Sequence, residues 1–469
     1  MLFTSSIFLY LFFPVVLAAY LLLGRFSKTS WPIIHLLILA SFVFYGYQNP
    51  YNIALLSFSI IVNFFIAQTI ELKQVYSKLA FVLGVVFNLG LLFYFKYTNF
   101  MLDNISFLTD QSFTHFNIVL PLAISFYTFQ QIAFLVDTYT CKTDSIHFRD
   151  YVLFVTFFPQ LIIGPIVHHS EMMPQFKRPS FGKVNWNNFI TGAFFLFSGI
   201  AKKLFIADPM GTYVDKIYNA AGAGEPILFT AAWISTLAFT IQIYFDFSGY
   251  TDMAIGLAKI FGIDLPINFN SPYKAPSVAE FWHRWHMTLS RWLRDYLYIP
   301  LGGNERGLRR NIINVFIVFF LGGLWHGAAW TFIIWGLLHS VGVSLSHAFK
   351  HFRITPPKIL GIAVTFVFVA VLWVLFRAQT ITIALSIYSA LFSLPTQWAM
   401  PEDNAPFVIM AMALLIIFCL PNTHTAVPVT KILFTKLPKA AQFCIILVVW
   451  LSLAAFNLDS SAEFIYFDF

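Results

Sequence analysis

His326 stands in the string LGGLWHGAAWTFIIWGLLH, Leu321 to His339, an imidazole set in apolar sequence with Gly322, Gly323 and Gly327 beside it. If its helix starts near Arg310 at a membrane boundary, sixteen residues at ~1.5 Å each put His326 about 24 Å along, within a hydrocarbon core of about 30 Å. An ionisable side chain at that depth is costly and marks a functional position. The competing reading is a neutral imidazole bonded to a neighbouring helix. The glycines favour the first, because they let another group approach the backbone closely. A buried imidazole with a reference pKa of about 6.5 suits general-base work on an alcohol. It could take a hydroxyl proton as that oxygen attacks an acyl thioester. No GxSxG elbow supplies a serine nucleophile, which leaves direct transfer, or a relay through a hydroxyl placed elsewhere.

A second constellation lies between Glu280 and Tyr298. Phe281, Trp282, Trp285, Leu289, Trp292, Leu293 and Tyr296 interleave at helical spacing with Arg284, His286, Arg291, Arg294 and Asp295. This predicts a cationic, Trp-rich amphipathic helix in the headgroup plane. The same helix could frame the cytoplasmic mouth of a cavity, where Arg284, Arg291 and Arg294 meet the phosphates of an anionic donor. Trp285, Asp295 and Tyr298 complete the donor-binding candidates. His283 and His286 sit three apart, but no nearby Cys, Asp or Glu completes a metal-ligand set, so no metal or bound cofactor is expected.

These groups need elements to hold them. Of 469 residues, 59% are hydrophobic and 10% charged, against about 25% charged in a soluble domain. The predicted class is all-α, a polytopic membrane protein whose helices satisfy their own backbone in lipid; a β-barrel would alternate polar and apolar residues. Apolar runs at Ile7 to Leu23, Trp31 to Tyr47, Ile53 to Ile70, Leu79 to Phe95, Ile118 to Val136, Phe189 to Ala207, Ile227 to Phe247, Ile312 to Leu324, Ala328 to Val343, Ile359 to Phe376, Phe407 to Leu420 and Phe443 to Phe456 suggest about twelve crossings. Tyr151 to Val167, broken by Pro159 and Gly164-Pro165, reads as a re-entrant hairpin, and Gly249 to Ile263 as too short to cross. Residues 1–469 form one expected domain, with a catalytic core of approximately 139–345.

Counted along those crossings, 23 Lys and Arg fall on one side, and Lys96, Lys216 and Arg377 on the other, with Lys202 and Lys203 inside a span. The positive-inside rule then puts both termini away from the cytoplasm, the first run acting as an uncleaved anchor. The net charge of +7 fits loops facing anionic membrane lipid; no nucleic acid is expected. Cys141, Cys419 and Cys444 form no CxxC pair and read as small buried hydrophobes. Lys202, Lys203, Asp246 and Asp252 either pair as buried ions or line a proton or substrate pathway. His168, His169 and Asp137 are candidates for the same polar interior. The aromatic tail SSAEFIYFDF is an interfacial anchor, or carries the Tyr466 hydroxyl into the outer mouth.

The strings FFPQLIIGPIVHHSEMMPQF, EFWHRWHMTLSRWLRDYLYIPLGG, LGGLWHGAAWTFIIWG and FIYFDF together resemble the membrane-bound O-acyltransferase family. The branch they resemble is that of bacterial polysaccharide O-acetyltransferases of the alginate and peptidoglycan type. D-alanyl transferases of teichoic acid share similar blocks and are an alternative. The resemblance implies a helical ring around a thin centre, a cytoplasmic funnel for the donor and an external one for the acceptor. His326 matches the family's near-invariant histidine, and His286 falls at its second polar position. The implied donor is acetyl-CoA; the implied acceptor is a periplasmic partner protein or the polysaccharide itself. Tyr466 resembles a C-terminal acyl relay.

Three functions compete on sequence: an acetyltransferase of the bacterial inner membrane, a glycolipid transporter or flippase suggested by broken helices and buried charges, and a non-catalytic scaffold for cell-wall assembly.

Overall fold

The computed structural model describes residues 1–72, 75–143, 147–183, 185–394, 405–456 and 464–465, and every regular element among them is helical. Among the described residues, seven helices are long and apolar enough to cross a membrane: Phe8–Phe26, Tyr51–Glu71, Ser77–Thr109, Trp186–Gly222, Gly307–His326, Trp330–His351 and Lys358–Arg377. An eighth crossing results if Pro406–Cys419 and Thr423–Phe434, bent by 85°, count as one. Of the remaining apolar runs, Trp31 to Tyr47 and Phe443 to Phe456 form the shorter helices Trp31–Gly46 and Lys439–Ala455, and Ile381–Leu391 is a further short apolar helix. Much of the helix surface is apolar and faces outward: only 17% of the Ser77–Thr109 window is buried. That suits lipid and no other solvent.

Helix ends differ from the apolar runs for a physical reason. Ile227 to Phe247 and Gly249 to Ile263 belong to one 32-residue helix, Phe229–Ile260. Hydropathy falls where Asp246, Ser248, Thr251 and Asp252 enter, but the helix continues because its backbone remains internally bonded. Likewise the helices starting at Ser77 and Trp186 run on through π-helical turns at Phe93–Tyr97 and Lys203–Ala207.

The described chain divides into two compact units. The first comprises Met1–Ile200, Tyr250–Ile267 and Thr423–Ser461. Its interior is stitched by carboxamides: Asn63 and Asn88, both fully buried, donate to each other at 3.2 and 2.6 Å. Gln131 donates to Ser59 at 3.0 Å and receives the Tyr151 hydroxyl at 3.1 Å. Such bonds join helices that the hydrophobic effect cannot drive together in lipid, each for roughly 0.6 kcal/mol on average.

The expected re-entrant segment is in this unit. Helices Phe148–Thr156 and Phe158–Leu161 break at Phe157, and residues 150–167 are buried throughout. Side chains satisfy the broken backbone: Ser41 Oγ accepts the Phe158 N–H at 2.9 Å, and Gln130 donates to the Phe154 carbonyl at 2.7 Å. His169 meets Asp137 at 3.2 Å, a pairing that the sequence left open. His168 instead caps the His169–Phe176 helix with Glu171. Asp252 accepts from the Thr423 hydroxyl at 2.8 Å. The three cysteines are free and exposed, contrary to the buried reading; where the exterior itself is apolar, a small hydrophobe has no need of the core.

The second unit comprises Ala201–Gly249, Asn268–Asn422 and Ala462–Phe469. It contains both candidate histidines.

Candidate active site

The site is built on an antiparallel helical hairpin, Gly307–His326 and Trp330–His351. Gly323 and Gly336 make it tight: a Cβ on Gly323 would fall 2.4 Å from the Phe332 carbonyl oxygen, and one on Gly336 2.3 Å from that of Phe319. Small residues at such crossings let backbones meet in a membrane. His326 is the last residue of its helix and is 5% exposed. The extended Gly327 follows, at φ −160°, with the Phe332 ring where a side chain would lie. Trp325, Trp335 and Phe376 surround the imidazole at 5.0, 5.2 and 5.3 Å between ring centroids.

The amphipathic helix expected over Glu280 to Tyr298 is not continuous. It consists of Val278–Trp282, Met287–Leu293 and a π-helical turn, Arg294–Tyr298. The break is at His286, whose φ of +42° places it in the left-handed region, costly for a residue with a Cβ. Asn268 holds it there. Its Oδ1 accepts the Thr288 N–H at 3.2 Å and the Thr288 hydroxyl at 2.9 Å, and lies 3.2 Å from His286 Nδ1. A backbone N–H can only donate, so this atom is the carboxamide oxygen and His286 Nδ1 carries the proton. His286 Nε2 is therefore a lone-pair nitrogen, buried, with no hydrogen-bond partner among the described residues. Burial pushes the imidazole pKa down to about 3, so it is neutral near physiological pH. His286 and His326 flank one indole: Trp325 is 6.4 Å from the first ring and 5.0 Å from the second.

The donor-binding candidates separate. Trp285 is 1% exposed, packed among Phe281, Phe269 and Trp373 at 5.0 to 5.5 Å. Arg284 pairs with Glu280 at 2.9 Å, and Arg294 with Asp295 at 2.7 Å. Arg291 is partly buried. Of the six, Arg294 and Tyr298 line an open cleft of about 900 Å³ at the far end of the hairpin from His326. There they join Asn311, Glu305, His347, Lys350 and His351 around the turn Gly302-Gly303-Asn304. Tyr298 donates to Asn311 at 3.0 Å. The cleft is rich in groups that bind anions.

Sequence reasoning did not single out His347, Lys350, His351 or His339. Lys350 and His351 stand in the basic last turn of their helix, which was the signal for them. Tyr466 lies outside the described residues. No group of His, Cys, Asp and Glu among the described residues could hold a metal ion.

The sequence profile of the membrane-bound O-acyltransferase family matches residues 26–387. The chain belongs to this family. It is 44% identical over 428 residues to the peptidoglycan O-acetyltransferase of Helicobacter pylori, covering 84% of this chain and 80% of that protein. It is 37% identical over 462 residues to a probable alginate O-acetylase of Pseudomonas aeruginosa, covering 94% and 85%. A teichoic acid D-alanyltransferase of Bacillus subtilis is 30% identical over 271 residues, 54% of this chain and 67% of that one.

This membrane-bound O-acyltransferase is thus a multi-pass membrane enzyme that transfers acyl groups, which decides against the transporter and scaffold readings. A buried ion cluster braces its second unit. Lys203 Nζ lies 2.8 Å from Asp208 and 3.0 Å from Asp246, and the second Asp246 oxygen accepts the Ile465 N–H at 2.9 Å. For Lys203 and Asp246, of the two readings, the geometry is that of pairing. Phe464 packs on Phe247 at 5.6 Å, and Phe247 lies edge-on to His286 at 4.7 Å. The ion cluster therefore holds Phe464 and Ile465 next to the second histidine.

Proposed function

We propose that this protein is an O-acetyltransferase of the bacterial inner membrane, taking acetyl groups from cytoplasmic acetyl-CoA for O-acetylation of a periplasmic or extracellular polysaccharide, directly or through a periplasmic partner protein. The observation that carries the reading is His326, a buried imidazole closing a glycine-packed hairpin, in a chain 44% identical to a peptidoglycan O-acetyltransferase.

In this mechanism the anionic cleft ligand is the nucleotide end of acetyl-CoA. Arg294, Lys350 and the neighbouring histidines favour its phosphates, and Tyr298 and Asn311 supply neutral bonds. The thioester reaches inward to His326. His326 removes the acceptor hydroxyl proton while that oxygen bonds to the acyl carbon; the C–S bond breaks, and the thiolate takes the proton. Base catalysis of this kind contributes about 10²- to 10⁴-fold. His286, neutral with its Nε2 lone pair inward, orients the acceptor hydroxyl. A relay through Tyr466 would divide the transfer into two steps. The basic edge of the hairpin, at Arg306, Arg309 and Arg310, faces the cytoplasm on this reading, and both termini face outward.

D-alanyl transfer is the second reading, favoured by the Bacillus subtilis relative. Purified protein given labelled acetyl-CoA and a polysaccharide fragment should release free CoA thiol and label the polysaccharide. Transfer of D-alanine, with no use of acetyl-CoA, would overturn the assignment.

A further inference from the structure

Trp282 donates its indole N–H to His339 Nδ1 at 3.2 Å. An indole nitrogen can only donate, so Nδ1 carries the lone pair and neutral His339 holds its proton on Nε2. That Nε2–H is fully buried and has no hydrogen-bond partner among the described residues. Trp335, one turn earlier on the same helix face, repeats the pattern: its Nε1–H is buried and likewise has no partner among the described residues. The two rings lie 4.8 Å apart, and Trp335 stands edge-on to His326 at 5.2 Å and 89°. Buried donors without acceptors destabilise a fold. Phenylalanine and leucine would fill the same space without that penalty, so two such donors beside a base call for a chemical explanation.

We propose that Trp335 and His339 are the paired N–H donors for the acyl carbonyl oxygen of the thioester. The inference rests on the thioester-dependent reading above, with His326 as base. When the acceptor oxygen bonds to the carbonyl carbon, the C=O π pair moves onto the carbonyl oxygen, and the two N–H groups meet that oxyanion. Collapse re-forms C=O and breaks the C–S bond, and the proton held by His326 passes to the departing thiolate. Neutral donors suit this position, because they stabilise the developing charge without placing a permanent cation in the apolar interior. Trp282 is then a positioning residue that fixes the His339 tautomer.

The test uses purified full-length protein and two analogues of acetyl-CoA that cannot be transferred: a methyl ketone with methylene in place of the thioester sulfur, and the matching alkyl chain without the carbonyl. Wild type should bind the ketone about tenfold more tightly. His339→Leu and Trp335→Phe should each abolish that preference, leave binding of the alkyl analogue unchanged, and lower kcat by about 10²- to 10³-fold. His339→Gln, which keeps an acceptor for Trp282 and a free N–H, should restore most of the rate. An undiminished ketone preference in both His339→Leu and Trp335→Phe would overturn the proposal alone. So would a folded His339→Gln as slow as His339→Leu. Failure of wild type to bind either analogue would overturn the thioester reading, and this proposal with it.

Discussion

The Asn268 carboxamide oxygen takes the Nδ1–H of His286 at 3.2 Å while holding Thr288 through both its N–H and its hydroxyl. One oxygen thus sets the tautomer of a histidine and a backbone conformation that the histidine would not choose. Asn268→Leu leaves three donors unanswered, each at roughly 1–3 kcal/mol. Its melting temperature in detergent should fall and its transfer rate should drop at least tenfold; Asn268→Asp, which keeps the acceptor, should lose less. Equal behaviour of the two variants would refute the role given to this oxygen.

His326→Ala should lower acetyl transfer by about 10²- to 10⁴-fold, the range for a lost general base, without altering affinity for CoA. Labelled-acetyl transfer, alongside CoA binding, measures both. A wild-type rate in the variant would remove His326 from the mechanism.

Lys350→Ala and Arg294→Ala alter the cleft, far from the reacting centre. Each should raise KM for acetyl-CoA several-fold with kcat nearly unchanged, and the effect should shrink at high salt. A fall in kcat at constant KM would place these side chains elsewhere in the reaction.

Lys203→Met strands Asp246, which is 2% exposed. Breaking a buried pair in this way costs about 3–5 kcal/mol. The double variant Lys203→Met, Asp246→Leu should recover part of that loss in thermal melts. Additive single losses would show that the two charges do not depend on each other.

Acid should destabilise the enzyme in part through His286. Its folded pKa of about 3 lies below the unfolded value of about 6.5, so between those values the unfolded chain binds more protons and stability falls as pH falls. Removal of the imidazole in His286→Asn should flatten the decline of melting temperature between about pH 6.5 and 4. A slope as steep as wild type would mean that other groups carry the effect.

The helical membrane class and the buried setting of His326 were legible in sequence because each depends on composition over a span or on one costly residue in an apolar setting. The continuity of Gly249 to Ile263 with the helix before it was not legible, because hydropathy records polarity, whereas a helix ends only when its backbone bonding does. The break at His286 was invisible for another reason: its left-handed backbone is imposed by Asn268, eighteen residues away. The same distance effect hid Trp285, which has the spacing of a surface aromatic and the surroundings of a core one. His339 was overlooked because its meaning comes from Trp282, on a different helix.

The hairpin also serves as a ruler. Asn311 at the cleft and His326 at the tip share one continuous helix, and fifteen residues at 1.5 Å each separate them by about 22 Å. Because Gly323 and Gly336 lock the two helices together, that length cannot adjust to the ligand. On the proposed reading, an acyl carrier is selected by reach: its charged head must rest at one end while its reactive carbon arrives at the other.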